Sequence, residues 1–173
     1  MPERSPWLRD SDLFTTAELA LVGSPRPIAL TVRPTGELSV VEVTPTVITA
    51  VVGGPHVDTV TGGEGIGFWF NAVDQHRHRV NKMATLLLLA SARLSAHDVP
   101  LLYGPVLVAS HDVVGGPAGL TKPQIRLLGG GRLSLRARWT LQRRASRDGR
   151  RRRRVWGPRR NSPSTWREVP ADL

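Results

Sequence analysis

The chain has 173 residues, a formal net charge of +10, 40% hydrophobic residues and no cysteine. This length allows one domain with appendages, or at most two small domains. The absence of cysteine excludes disulfides, cysteine-ligated zinc and thiol catalysis. The longest apolar run, residues 86–90, is far shorter than the roughly 20 residues of a membrane span. The first ten residues carry charges and lack the apolar region of a signal peptide. We therefore expect a cytoplasmic protein with no membrane partner.

The positive charge is concentrated at the C-terminal end of the chain. Residues 126–173 contain 15 arginines against three acidic residues, a net charge of +12, whereas residues 1–125 carry −2. Five consecutive arginines occupy positions 150–154. Because like charges repel and no apolar face accompanies this run, we predict disorder after Leu141 within an Arg-rich tail at residues 131–173.

The N-terminal part of the chain predicts a short helix and then a β-hairpin. Residues 1–25 form a lead-in, in which Thr15 and Glu18 have the spacing of a capping box at the start of a short helix. The β-rich runs at residues 28–32 and 38–43 flank a Pro-Thr-Gly turn, which is a hairpin signal.

Next, the chain predicts a short helix, a second hairpin and a longer helix. Residues 46–52 are predicted to form a short helix, with Gly53 at its C-terminal end. Residues 56–60 and 66–73 form the second hairpin around a Gly-rich turn. Asn81 is a good N-cap for a helix from residue 82 to about 94, whose apolar residues recur at helical spacing.

The remaining elements complete an α+β fold. Residues 103–109 predict a strand, and residues 111–119 a Gly-rich turn. Thr121 is the N-cap of a last helix that ends at the glycines 129–131. We therefore predict a globular domain at residues 26–130, with a small, mostly antiparallel sheet and two main helices packed on it, followed by the disordered basic tail.

Five short segments of this domain occur in the order seen in a known family. They are the hairpin at residues 28–43, Val52-Gly53-Gly54, Asn81-Lys82-Met83-Ala84-Thr85, Leu102-Tyr103-Gly104-Pro105-Val106-Leu107-Val108 and Gly119-Leu120-Thr121. Over residues 28–128 the chain resembles the bacterial, plasmid and phage proteins called domain of unknown function 3846. Asp58 occupies the polar position that follows the double glycine in typical members. The resemblance implies no reaction and no catalytic residue.

The Arg-rich tail is the main candidate for a functional site. Guanidinium groups neutralise phosphates and release counterions, and tryptophan can stack on unpaired bases. Charge alone carries no sequence information, so we expect non-specific contact with nucleic acid, lost on truncation at Arg132. The predicted contact residues are Arg143, Arg144, Arg150, Arg151, Arg152, Arg153, Arg154 and Trp156.

Two other classes of function remain open at this stage. A protein-interaction module would bind a partner protein through an exposed face of the sheet. A small enzyme would use Asp58, Glu64 or the cluster of Asp74, His76 and His78 as an acid, a base or metal ligands. The Gly-rich segments match no phosphate-binding motif, and no nucleophile elbow is present. We therefore expect a non-enzymatic accessory protein, for example of a mobile element, without a cofactor.

Overall fold

The computed structural model describes residues 26–54, 56–131 and 133–156, except for the side chains of Asp74, His76 and Trp156. The predicted lead-in helix and the end of the predicted tail, residues 157–173, lie outside the described residues.

The described strands form one antiparallel sheet. They are β1 (Ile28–Val32), β2 (Leu38–Glu42), β3 (Val57–Thr61), β4 (Ile66–Asn71), β5 (Val106–His111) and β6 (Pro117–Ala118). Their order is β2-β1-β5-β4-β3, with β6 also paired to β5. The predicted α+β fold and both predicted hairpins are confirmed. Strand β6 was not predicted. It lies in the predicted Gly-rich turn, which folds back so that its residues 117 and 118 pair with the end of β5.

Helices cover both faces of the sheet. They are α1 (Val47–Val52), α2 (Lys82–Ser91), α3 (Lys122–Gly130) and α4 (Leu135–Trp156). Helices α2, α3 and α4 contribute to the main core on one face, and α1 packs on the other. None of the helices in the described ranges is long and apolar enough to cross a bilayer.

Strand β4 shows how the sheet divides the apolar residues between two cores. Successive side chains of a strand point to opposite faces. Phe68 and Phe70 accordingly lie in the main core, while Trp69 lies in the smaller core beside α1. Leu107 and Ala109 are also fully buried in the smaller core. The exposed sheet face required by the interaction-module hypothesis is therefore not found in this central part of the sheet.

Helix α2 is the most deeply buried helix among the described residues. Its predicted N-cap is confirmed, because the Asn81 side chain accepts a hydrogen bond from the Ala84 N–H at 3.0 Å. The helix ends at Ser91, three residues before the predicted end, and Leu94 is exposed. Residues are buried nearly all around the helix because α3 and α4 pack against it in addition to the sheet.

Helix α4 occupies about half of the predicted Arg-rich tail. The expectation of disorder after Leu141 is wrong for residues 142–156, which belong to a 22-residue helix. Leu141 and Ala145 are spaced one helical turn apart and are buried against the domain. Burying a leucine contributes about 1.5–3 kcal/mol, whereas each like-charge pair along a helix costs only about 0.2–0.5 kcal/mol. Packing of one face therefore outweighs the repulsion among arginines.

Candidate nucleic-acid interface

The outer face of α4 carries a continuous row of arginines. On an ideal helix with about 100° per residue, the members of this row lie within about 60° of one another. The row extends over about 27 Å of the helix axis, at a rise of about 1.5 Å per residue. We call it the outer arginine row; its members are Arg136, Arg143, Arg147, Arg150 and Arg154, and all of them are exposed.

No carboxylate within the described residues forms an ion pair with the outer arginine row. The single acidic residue of α4, Asp148, points toward the domain and pairs with Nε of Arg152 at 2.7 Å. Arg143 and Arg147, and likewise Arg150 and Arg154, are four residues apart and repel each other. The row is therefore a surface of uncompensated positive charge, held in place by the packing of the opposite face.

Trp139 adds an aromatic surface next to this row. Its side chain is 65% exposed, and the guanidinium carbon of Arg143 lies 5.4 Å from the centre of its ring. An exposed tryptophan beside arginines can stack on an unpaired base while the guanidinium groups contact the phosphates.

The arginines on the inner face of α4 have a structural role instead. Arg144 donates hydrogen bonds to the carbonyl oxygens of Ala96 and Val99, each at 2.8 Å. Because both acceptors belong to the segment between α2 and β5, Arg144 ties α4 to this segment.

Arg152 ties α4 to Tyr103 at the opposite end of the same segment. Its guanidinium carbon lies 3.9 Å from the centre of the Tyr103 ring, and it donates to the Gln75 carbonyl oxygen. Burial raises the pKa of the Tyr103 phenol, the negative charge of Asp148 raises it further, and Arg152 partly opposes this. The tyrosine is therefore neutral and serves as a packing surface for the guanidinium.

The helix divides the predicted contact residues into two groups. Those that are exposed are Arg143, Arg150, Arg151, Arg153 and Arg154, whereas Arg144 and Arg152 are partly buried against the domain. The side chain of Trp156 lies outside the described residues. Arg136 and Arg147 belong to the outer arginine row but were not predicted. The five members of the row are spaced seven, four, three and four residues apart, and this spacing was the available signal in the sequence. It places the five arginines on one face only if the segment is a helix.

Neighbouring arginines test this division directly. We expect Arg144→Gln to lower the free energy of unfolding by about 1–3 kcal/mol, because two backbone carbonyls lose a charged donor. Arg143→Gln removes the same charge from the exposed face and should change stability by less than about 0.5 kcal/mol. Urea unfolding followed by circular dichroism measures both. Equal losses in the two variants would contradict the division into an outer and an inner face.

The candidates for enzymatic chemistry with described side chains are Asp58, Glu64 and His78, and they occupy different elements of the fold. The side chains of Asp74 and His76 lie outside the described residues. Asp58 is exposed on the edge strand β3 and accepts a hydrogen bond from the Thr59 N–H at 2.8 Å. Glu64 lies in a tight turn with φ of 56°. His111, one candidate for a third metal ligand beside His76 and His78, contacts Trp69 and the Thr61 hydroxyl in the sheet. Among the described side chains, no group of three or more His, Asp or Glu residues could hold a metal ion.

No family model matches the chain, and neither curated proteins nor solved structures show a match. The resemblance to the domain of unknown function 3846 family therefore stays a prediction, and the outer arginine row has to be interpreted from its own chemistry.

Proposed function

We propose that the protein is a non-enzymatic accessory protein, for example of a mobile element, that binds nucleic acid non-specifically through the outer face of α4. The observation that carries this proposal is the outer arginine row, five exposed arginines without a carboxylate partner among the described residues. A polyanion would neutralise charges that repel one another in the free protein. Binding would therefore be favoured both by counterion release and by relief of this repulsion.

The geometry suits the phosphate backbone better than base-specific recognition. A nucleic-acid helix presents phosphates at regular intervals, and guanidinium groups bind phosphate oxygens in a bidentate manner. Helix α4 presents the outer arginine row along one side, and its other side packs against the domain. Arginine contacts with phosphates position a protein on nucleic acid but carry no sequence information. We expect similar affinities for duplexes of unrelated sequence.

The salt dependence of binding tests this proposal. For duplex DNA, the logarithm of the binding constant falls with the logarithm of salt concentration at a slope of about −0.9 per neutralised phosphate. Five contacts therefore predict a slope of about −4.5, or a loss of affinity of about 500-fold between 50 and 200 mM salt. Fluorescence anisotropy of the full chain with two labelled duplexes of unrelated sequence measures both slopes. A slope near zero, or a large preference for one sequence, would contradict the proposal.

Truncation at Arg132 is not a clean test, although the sequence suggested it. Removing the C-terminal segment also removes Leu141 and Ala145 from the core and takes away the contacts of Arg144. A truncated chain could lose binding because its fold is disturbed. Substitutions confined to the exposed face of α4 avoid this ambiguity.

A further inference from the structure

A cleft with a strongly positive lining lies beside α4, and its lining includes no member of the outer arginine row. Its volume is about 630 Å³, within the range of about 300–1,000 Å³ typical of small-molecule sites. Three parts of the chain form its walls: the turn between β1 and β2, the segment from Arg77 to Met83, and the edge of α4 from Ala145 to Arg153.

The charged side chains of the cleft come from two distant parts of the sequence. They are Arg77, Arg79, Lys82, Arg152 and Arg153, and His78 lies among them. Asp148 is the only carboxylate among the described residues that line the cleft, and it is already paired with Arg152. The lining therefore has a net charge of +4 with His78 neutral.

Three of these cations are available to a ligand. Arg79, Lys82 and Arg153 form no ion pair with any carboxylate of the described residues. Arg152, in contrast, is held by Asp148 and by the ring of Tyr103. Its charge is compensated by Asp148, so Arg152 fixes the wall of the cleft and leaves the binding of an anion to the three unpaired cations.

Apolar side chains complete the lining beside these charges. Pro34, Val80 and Met83 contribute to the walls, so the cleft can accept an organic group as well as an anion. Guanidinium and ammonium groups that line one cleft from separate elements suit a doubly charged phosphate better than a single carboxylate.

We infer that this cleft binds a phosphomonoester of about the size of a mononucleotide. Arg79, Lys82 and Arg153 contact the phosphate, and the apolar side chains of Pro34, Val80 and Met83 contact the organic group. The phosphomonoester is either a free nucleotide or the 5′-phosphate end of a strand, which share this chemistry. The inference does not depend on the outer arginine row, because none of the residues that line the cleft belongs to that row.

Calorimetric titration of the full chain tests this inference with adenosine 5′-monophosphate, adenosine and inorganic phosphate. We expect the nucleotide to bind at least tenfold more tightly than either fragment, because it uses the charged and the apolar parts of the cleft together. If adenosine or inorganic phosphate binds as tightly as the nucleotide, the inference is overturned. This comparison uses the unmodified protein, so it does not depend on the folding of a variant.

A pair of variants with equal charge then locates the site. The double variant Arg79→Gln/Lys82→Gln should weaken nucleotide binding at least tenfold, whereas Arg143→Gln/Arg147→Gln should leave it within twofold. Equal weakening in both variants would indicate a general effect of net charge and would overturn the assignment. Loss of nucleotide binding with unchanged duplex binding in the first variant would separate this site from the proposed nucleic-acid surface.

The source of the phosphate is distinguished by competition. A short oligonucleotide with a 5′-phosphate should displace the nucleotide if the cleft accepts strand ends, while the same oligonucleotide with a 5′-hydroxyl should not. Failure of both to displace it assigns the cleft to free nucleotides. Displacement by both oligonucleotides alike would show that the 5′-phosphate is not recognised and would overturn the inference.

Discussion

Replacing the five residues of the outer arginine row with glutamine is expected to weaken duplex binding at least about 100-fold at 0.1 M salt. The variant carries the substitutions Arg136→Gln, Arg143→Gln, Arg147→Gln, Arg150→Gln and Arg154→Gln. Each lost phosphate contact should make the salt slope less steep by about 0.9. Fluorescence anisotropy with a labelled duplex measures both the affinity and the slope.

The same variant should be at least as stable as the unmodified protein. Arginine and glutamine have similar helix propensities. The substitutions remove seven repulsive arginine pairs at spacings of three or four residues, three within the row and four with Arg144, Arg151 or Arg153. The expected gain is about 1.5–3.5 kcal/mol in total, from about 0.2–0.5 kcal/mol for each pair. Loss of binding together with equal or higher stability in urea unfolding would exclude unfolding as the cause.

Lysine at the same five positions provides the matched control. It keeps the charge of each residue but lacks the fork of donors that binds a phosphate in a bidentate manner. We expect the lysine variant to retain the salt slope and to lose less than about tenfold in affinity, since counterion release supplies most of the free energy of binding. If the glutamine variant binds as tightly as the lysine variant, the outer arginine row is not the binding surface.

The largest effect on stability is expected at Asn81. Its side chain is fully buried and donates to the carbonyl oxygens of Val32 and Gly104, both at 2.8 Å. It also accepts from the Ala84 N–H at the start of α2. One amide thereby joins β1, the loop before β5 and the N-terminus of α2. We expect Asn81→Ala to lower the free energy of unfolding by at least about 3 kcal/mol, because three buried polar groups lose their partner.

Thr121→Ala provides the comparison for this variant. Thr121 also caps a helix, since its hydroxyl accepts from the Gln124 N–H in a capping box, but it is exposed. Water can replace this bond, so the expected loss is only about 1 kcal/mol. Urea unfolding followed by circular dichroism compares the two variants. Similar losses of unfolding free energy would show that the contribution of Asn81 to stability does not depend on its burial.

Local patterns were sufficient to predict most of the elements. The Pro-Thr-Gly turn marked the first hairpin, and Asn81 and Thr121 marked the starts of α2 and α3. The β-rich runs at residues 56–60 and 66–73 on either side of a Gly-rich turn marked the second hairpin. Such signals depend on residues that are close together in sequence, so they can be recognised without knowledge of the fold.

The candidate site was predicted only in part, because α4 depends on long-range contacts. Its arginines argue against a stable element when the segment is considered alone. Leu141 and Ala145 become stabilising only when α2 and the segment that follows it are present to bury them. For the same reason, the sequence did not distinguish exposed Arg143 from its partly buried neighbour Arg144.

By itself, the sequence determined the antiparallel α+β fold, the positions of two helix caps and the concentration of positive charge near the C-terminal end. These properties follow from local backbone preferences, side-chain periodicity and composition. Only the tertiary structure decided that residues 135–156 form a helix, which of its arginines face solvent, and that Arg79 and Lys82 lie beside Arg153 in one cleft. The reason is physical: burial and the convergence of charges depend on which distant segments meet, and no local pattern contains that information.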